Sequence, residues 1–142
     1  MVQQTPGAIG YVEIAYALQN KLTYTQMKNH DGAFVSPTLA NFQAAAASAD
    51  WAKAPSYRLV LADQPGRDSW PMTAATFILV HGKQTSAEKA KTVLGFFDWS
   101  FKNGQKMAED LLYVPLPDNL VKMVEDTWSK DVKGPDGKAV WP

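Results

Sequence analysis

The residues best suited to contact a ligand lie together in one short polar segment, Arg67-Asp68-Ser69. A guanidinium group beside a hydroxyl group can donate several hydrogen bonds to an anion, and Asp68 would orient or oppose the arginine. The alternative interpretation is an exposed turn with a local ion pair, which contributes little to stability. Arg67 and Ser69 are therefore the candidate ligand-binding residues, and both interpretations stay open.

The other polar residues form no catalytic or metal-binding pattern. The two histidines, His30 and His81, lack a partner at the spacing that a metal site or a general base needs. The carboxylates of Asp98, Glu109 and Asp110 fall on predicted helix surfaces, where such groups are usually solvated. The chain has no cysteine, which excludes thiolate metal sites and cysteine nucleophiles. We predict no enzyme activity, no catalytic residue, no metal and no cofactor.

The composition indicates a folded chain of balanced charge. Hydrophobic residues make up 46% of the 142 residues, which is enough for a core. Fourteen basic and fourteen acidic residues cancel, so nucleic acid is not an expected partner, because binding to its backbone needs surplus Lys and Arg. The start of the chain lacks the basic and apolar stretches of a secretion signal, and no apolar run is long enough to span a bilayer.

The elements that must position these residues are mixed strands and helices. We expect a short strand at residues 6–12, a hairpin within residues 24–35 that turns at Asp31-Gly32, and a buried strand at residues 73–81. A helix is expected to start at Ser36-Pro37, and a turn at residues 64–66 is the best candidate for a boundary.

Two amphipathic helices are expected in the second half of the chain. The first begins with a capping box over residues 85–88, has apolar residues at three- and four-residue spacing, and stops at Asn103-Gly104. The second begins near Pro117 and places Leu120, Val121, Val124 and Trp128 on one side. The fold class is α/β, with α+β possible.

Four ordered motifs carry a resemblance to a known family. They are PGAIGYVE at residues 6–13, VSPT at 35–38, WPMT at 70–73 and VLGFFDW at 93–99. On these motifs the chain resembles the C-terminal part of the periplasmic phosphate-binding proteins of Pst-type ABC transporters. The resemblance runs from about Thr5 to Lys138 and so covers nearly the whole chain.

The resemblance implies a partial type II periplasmic binding-protein fold with sheet pieces and flanking helices. Residues 1–66 would resemble the end of the second lobe, residues 67–133 the return to the first lobe, and residues 134–142 a loosely held tail. The implied function is a solute-binding fragment that binds inorganic phosphate when complete and delivers it to the ABC permease in the periplasm. The family's main phosphate ligands lie upstream of this region, so Arg67 and Ser69 would contact only the lip of the cleft.

A second interpretation is a structural or interaction fragment. A chain that holds parts of two lobes would leave sheet edges and apolar helix faces open. Such a chain could cover them by self-association and would bind no phosphate alone.

Overall fold

The computed structural model describes residues 2–142, which form five α-helices and one small antiparallel sheet. Three short 3-10 turns lie at Val2–Gln4, Trp51–Lys53 and Pro55–Tyr57. In chain order the helices and strands are α1 (Ile14–Gln19), β1 (Met27–Lys28), β2 (Phe34–Val35), α2 (Leu39–Ser48), α3 (Ala87–Asn103), α4 (Gln105–Asp110) and α5 (Asp118–Asp131).

The hairpin of β1 and β2 forms where the sequence predicts it. Met27 pairs with Val35 and Lys28 with Phe34 in antiparallel register. Gly32 has φ +83°, a left-handed conformation that favours glycine, and its N–H donates to the Asn29 carbonyl at 2.9 Å. The local turn chemistry therefore sets the register of this hairpin.

The predicted start of α2 is wrong by two residues. Thr38, not Ser36, is the N-cap, and its side chain accepts a hydrogen bond from the Asn41 N–H at 3.3 Å. The Ser36 carbonyl instead accepts from the Asn41 side chain at 2.8 Å. Pro37 therefore lies before the helix and not in its first turn.

The start of α3 is also shifted by one residue, whereas its end is confirmed. Ser86 is the N-cap and accepts from the Lys89 N–H at 3.3 Å, in place of the predicted Thr85. Gly104 ends the helix. A Cβ atom at that position would lie 2.6 Å from the Ser100 carbonyl oxygen, a distance that excludes any side chain.

Two of the predicted strands do not form among the described residues. Residues 8–12 have no regular structure, and Ile9 is almost fully exposed. Residues 74–80 make no backbone hydrogen bond to any other part of 2–142, and Leu79 is 95% exposed. A strand needs a neighbour to accept its N–H groups, and no neighbouring strand is present in the described chain. The prediction of a buried strand at 73–81 is therefore wrong for this structure.

The core consists of two hydrophobic clusters that share α5. One cluster joins α3 to α5 through Leu94 and Trp128, and the other joins Trp51 and Leu61 to Leu120 of α5. Val124 packs against both clusters. Trp128 stacks on Phe101, with ring centroids 6.0 Å apart and planes 19° apart. The predicted buried side of the last helix is thus confirmed at Leu120 and Trp128.

The segment after α5 packs against the helix. The Val140 N–H donates to the Val132 carbonyl at 3.2 Å, and Val140 is buried. Trp141 contacts Trp128 edge to face, with ring centroids 5.5 Å apart. These contacts differ from the loosely held tail that the Gly and Pro content of residues 134–142 predicts.

The mixture of helices and small sheet pieces confirms the expected α/β or α+β class. Its one sheet has two antiparallel strands. Among residues 2–142, none of the helices combines the length and the apolar content that crossing a bilayer requires.

Candidate functional site

Arg67 and Ser69 lie in a closed loop between Ala62 and Met72, which form an isolated antiparallel bridge. The Asp63 N–H donates to the Pro71 carbonyl at 2.9 Å and closes the loop at its base. The next residue after Ser69 is tied to α2, because the Trp70 N–H donates to the Asn41 carbonyl at 3.0 Å. The loop is therefore held at both ends.

Asn29, at the end of β1, holds the centre of this loop. Its side-chain amide donates to three backbone carbonyls, those of Arg67 at 2.7 Å and of Gly66 and Ser69 at 3.2 Å each. Its side-chain oxygen accepts from the Ala33 N–H at 3.0 Å, within the hairpin turn. Asn29 is only 6% exposed. A single buried amide thus joins the hairpin to the loop, and a buried amide without these partners would be costly.

Ser69 is part of the interior of the loop. It is fully buried, and its hydroxyl donates to the Pro65 carbonyl at 2.7 Å. Gly66 lies against it with φ +114°, and a Cβ there would come within 2.8 Å of the Ser69 hydroxyl oxygen. In this conformation Ser69 shapes the loop and does not reach solvent. Its predicted contact with an anion would require the loop to open.

Arg67 lies on the exposed outer side of the loop. Its carbonyl is fixed by Asn29, whereas its guanidinium group forms no ion pair or hydrogen bond with another side chain of residues 2–142. Asp68 is also exposed and does not pair with it, so the local ion pair of the alternative interpretation is not formed. The arrangement leaves one positively charged group that can meet an anion from solvent.

The remaining titratable side chains near the loop form no catalytic arrangement. His30 Nδ1 lies 3.4 Å from Asp63 Oδ2, and both side chains are more than half exposed. No group of three His, Asp or Glu residues that could hold a metal ion occurs within residues 2–142. Lys102 pairs with Asp98 and Lys106 with Asp110, each one turn apart on a helix surface.

Two shallow grooves on the surface of residues 2–142 are lined by residues other than Arg67 and Ser69. The larger, of about 420 Å³, lies between the alanine-rich side of α2 and the segment that leads into α5. The smaller, of about 220 Å³, lies between residues 78–81 and α3. Of the two candidate ligand-binding residues, Arg67 is therefore exposed outside these grooves, whereas Ser69 is buried inside its loop.

The sequence singles out Arg67, whose contact with a ligand stays a prediction, and gives no sign of the part that Asn29 plays in the loop. The three carbonyls that Asn29 binds are 37 to 40 residues away in the chain. An asparagine just before Asp31-Gly32 is typical of a turn, and this local signal gives no sign of a distant partner.

Several known proteins are similar to this chain over nearly its whole length. It is 50% identical over 132 residues to a phosphate-binding protein PstS of Xylella fastidiosa strain 9a5c, 93% of this chain and 36% of that protein. It is 45% identical over 134 residues to the PstS protein of Pasteurella multocida, 94% of this chain and 39% of that protein. The PstS protein of Methanocaldococcus jannaschii is 37% identical over 136 residues, 87% of this chain and 34% of that protein. No protein-family model matches the chain.

These similarities confirm the resemblance that the four sequence motifs indicate. The relatives are named as binding proteins and not as enzymes, in agreement with the prediction of no enzyme activity. The chain spans little more than a third of the length of these relatives. In sequence, this chain corresponds to the C-terminal portion of the phosphate-binding proteins named PstS.

Proposed function

We propose that this chain is the C-terminal part of a solute-binding protein that captures inorganic phosphate for an ABC transporter. The observation that carries the proposal is the identity of 42% to 50% with four proteins named for phosphate binding, over about 93% of this chain. The complete protein would work in the periplasm and would deliver phosphate to the permease of the transporter.

In this proposal, phosphate is held by hydrogen bonds between two lobes and undergoes no covalent chemistry. The described residues could hold one part of the binding site in a fixed position. The loop that carries Arg67 is fixed at its base by Pro71 and at its centre by Asn29. A donor on a fixed loop loses less conformational entropy when an anion binds than a donor on a flexible one. Arg67 would then add one charged donor at the rim of a site whose other donors come from the part of the protein upstream of this chain.

The test is a titration of phosphate into the chain, alone and mixed with the upstream part of the Xylella fastidiosa relative. We expect no saturable heat from the chain alone and saturable heat from the mixture, with sulfate as the control anion. The upstream part is also titrated alone. Saturable binding by the upstream part alone at the affinity of the mixture, or no binding in any mixture that forms a complex, would contradict the proposal.

The contribution of Arg67 is tested in the same mixture with Arg67→Ala, and Arg58→Ala is the matched control. These two positions are the only arginines in the sequence, so the comparison separates a specific contact from a general loss of charge. We expect weaker binding for Arg67→Ala by roughly three- to tenfold, as for one partly solvated charged hydrogen bond. Equal affinities of the two variants would remove Arg67 from the site.

The second candidate function is an interaction fragment that folds by self-association and binds no phosphate alone. The specific observation in its favour is the exposed apolar segment at residues 77–80, which has no strand partner within residues 2–142. Apolar side chains on both faces are typical of an inner strand of a sheet. A strand of this kind with open edges pairs readily with other chains. Sedimentation across a range of concentrations separates the two functions, since a compact monomer throughout would contradict self-association.

A further inference from the structure

The turn at residues 66–69 presents two successive backbone N–H groups that have no acceptor within residues 2–142. The Ser69 N–H donates to the Gly66 carbonyl at 3.0 Å and closes a β-turn, with Arg67 and Asp68 at its centre. The backbone N–H groups of Arg67 and Asp68 donate neither to a backbone carbonyl nor to a side chain of the described residues. Both residues are exposed. These two donors are therefore open to solvent.

The direction of the two N–H groups follows from the position of Asn29. The carbonyls of Gly66 and Arg67 both accept from the Asn29 side-chain nitrogen, at 3.2 Å and 2.7 Å. In a trans peptide group the N–H points opposite to the C=O, and the peptide bonds of residues 2–142 are all trans. The Arg67 N–H shares a peptide group with the Gly66 carbonyl, and the Asp68 N–H shares one with the Arg67 carbonyl. Both N–H groups therefore point away from Asn29, to the outer side of the turn.

This arrangement of donors suits an anion. Successive N–H groups on one side of a turn form a concave site of partial positive charge. The exposed Arg67 guanidinium, which forms no ion pair within residues 2–142, can add charged donors. Asn29 holds the turn in place before an anion binds, so little conformational entropy is lost on binding. The Asp68 carboxylate opposes an anion by its charge and thus weakens the site.

We propose that the turn at residues 66–69 is a weak surface site for a tetrahedral oxyanion such as phosphate, bound by the N–H groups of Arg67 and Asp68 and by the Arg67 guanidinium. The donors all belong to this chain, so the site does not depend on the proposed function. Because the donors face solvent, we expect a dissociation constant of roughly 1–10 mM. Binding this weak gives no saturable heat at micromolar protein concentration, in agreement with the calorimetric result expected for the chain alone.

Arg58 provides a matched comparison within the same chain. Its side chain is also exposed. The N–H groups of Arg58 and Leu59, however, donate to the carbonyls of Pro55 at 3.1 Å and Tyr57 at 2.8 Å. Arg58 therefore has the same charge as Arg67 but lacks two open N–H groups. An anion attracted by charge alone would affect both arginines equally, whereas the proposed site should affect only the turn at Arg67.

The test is a titration of the isotope-labelled chain with inorganic phosphate at constant pH and ionic strength, followed by the NMR shifts of the backbone amides. We expect saturable shifts of the Arg67 and Asp68 amides and none at Arg58 and Leu59. Sulfate should shift the same two amides, because it is also a tetrahedral oxyanion, whereas chloride should not. A tighter affinity for methyl phosphate than for phosphate would assign the site to a phosphate group carried by a larger molecule. The reverse order would assign it to the free ion.

Substitutions separate the contributions of the donors. Arg67→Ala removes the guanidinium and should weaken binding by roughly three- to tenfold. Arg67→Pro also removes the N–H at a turn position that favours proline, and it should leave no saturable shift of the Asp68 amide. Asp68→Asn removes the opposing charge and should tighten binding by roughly two- to fivefold. Arg58→Ala is the control and should bind as the unmodified chain does.

Two results in the unmodified chain would overturn the proposal: no saturable shift of the Arg67 and Asp68 amides, or equal shifts at Arg58 and Arg67. Unchanged binding in Asp68→Asn would overturn it as well. If Arg67→Pro shifts the side-chain amide signals of Asn29, the turn itself has changed, and Arg67→Ala and Asp68→Asn decide. None of these results bears on the proposed function, which is tested by the mixture with the upstream part.

Discussion

At the scale of single residues, Asn29 carries the strongest structural prediction. Its buried amide is the donor for the carbonyls of Gly66, Arg67 and Ser69. Asn29→Asp keeps the shape and the acceptor for Ala33 but replaces the donor by a carboxylate that faces three carbonyl oxygens. Loss of a buried hydrogen-bond partner costs about 1–3 kcal/mol, and more for a charged group. We expect a lower free energy of unfolding in urea and faster trypsin cleavage after Arg67.

Asn20→Asp is the control for that change. Asn20 is exposed, and its side-chain amide donates to the Tyr16 carbonyl at 2.9 Å in a local contact at the end of α1. Its replacement should change the unfolding free energy by no more than about 0.5 kcal/mol. Cleavage after Arg58 serves as the internal reference for trypsin. If trypsin cleaves the Asn29→Asp variant after Arg67 no faster than it cleaves the Asn20→Asp variant, the side-chain amide of Asn29 does not hold the loop in place.

The residue types of the Arg67 loop indicate which chemical groups it carries, but they do not predict how those groups are arranged. The sequence shows a guanidinium group beside a hydroxyl group, and the structure separates them by burial, with Arg67 outside and Ser69 inside. Burial of Ser69 depends on Gly66 and on the distant Asn29, and neither dependence is visible in a local pattern. The assignment of these two residues to a ligand stays a prediction.

At the scale of elements, helix caps give a direct comparison of sequence and structure. The sequence of residues 85–88 fits a capping box that starts at Thr85, whereas the structure uses Ser86, whose hydroxyl accepts from the Lys89 N–H. Both residues are hydroxyl-bearing, so pattern alone cannot choose between two registers one residue apart. We expect Ser86→Ala to lower the free energy of unfolding by about 1 kcal/mol.

Thr85→Ala is the control, and it should be nearly neutral because Thr85 makes no capping hydrogen bond in the structure. Urea unfolding followed by circular dichroism measures both variants. A larger loss of unfolding free energy in Thr85→Ala than in Ser86→Ala would support Thr85 as the N-cap, as the sequence pattern predicts. The start of α3 would then lie one residue earlier.

The elements that the sequence predicts well are those whose causes are local. The hairpin depends on Asp31-Gly32 and on residues within one turn of it, and α3 depends on its own apolar spacing and on Gly104. The β-branched and aromatic residues of positions 73–81 predict a strand, but they cannot form one without a neighbouring strand. The backbone N–H and C=O groups of a strand need a second segment as their hydrogen-bond partner, whereas those of a helix pair within one segment.

At the scale of the whole molecule, α5 joins two clusters that would otherwise be separate. Leu120 lies in one cluster, Trp128 in the other, and Val124 touches both. The Tyr57 hydroxyl adds a polar link, because it lies 2.8 Å from the Met123 carbonyl and 2.6 Å from the Thr127 hydroxyl. Amphipathic spacing predicts that α5 is buried on one side. This spacing cannot predict that the two ends of the buried side pack against different clusters, because that depends on the path of the backbone between Trp51 and Leu61.

Among residues 2–142, many large apolar side chains are exposed and lie outside the two clusters. The segment from Phe77 to Val80 is exposed on both faces, and Val93 and Phe96 of α3 are also exposed. A chain with such a surface lowers its free energy when another polypeptide covers it. The balance between a covered and an uncovered segment should therefore depend on protein concentration.

Leu79→Glu tests this dependence most directly, because Leu79 is 95% exposed and its replacement removes no contact within the core. A charge in the middle of the segment disfavours strand pairing between copies. We expect the unmodified chain to sediment with increasing mass as concentration rises and the variant to remain monomeric at roughly tenfold higher concentration, as for a loss of about 1.4 kcal/mol per contact. Lys91→Gln, at an exposed position on α3, changes the net charge by the same one unit and is the control for charge alone. If the unmodified chain and the Leu79→Glu variant associate equally, residues 77–80 are not the surface through which copies of the chain associate.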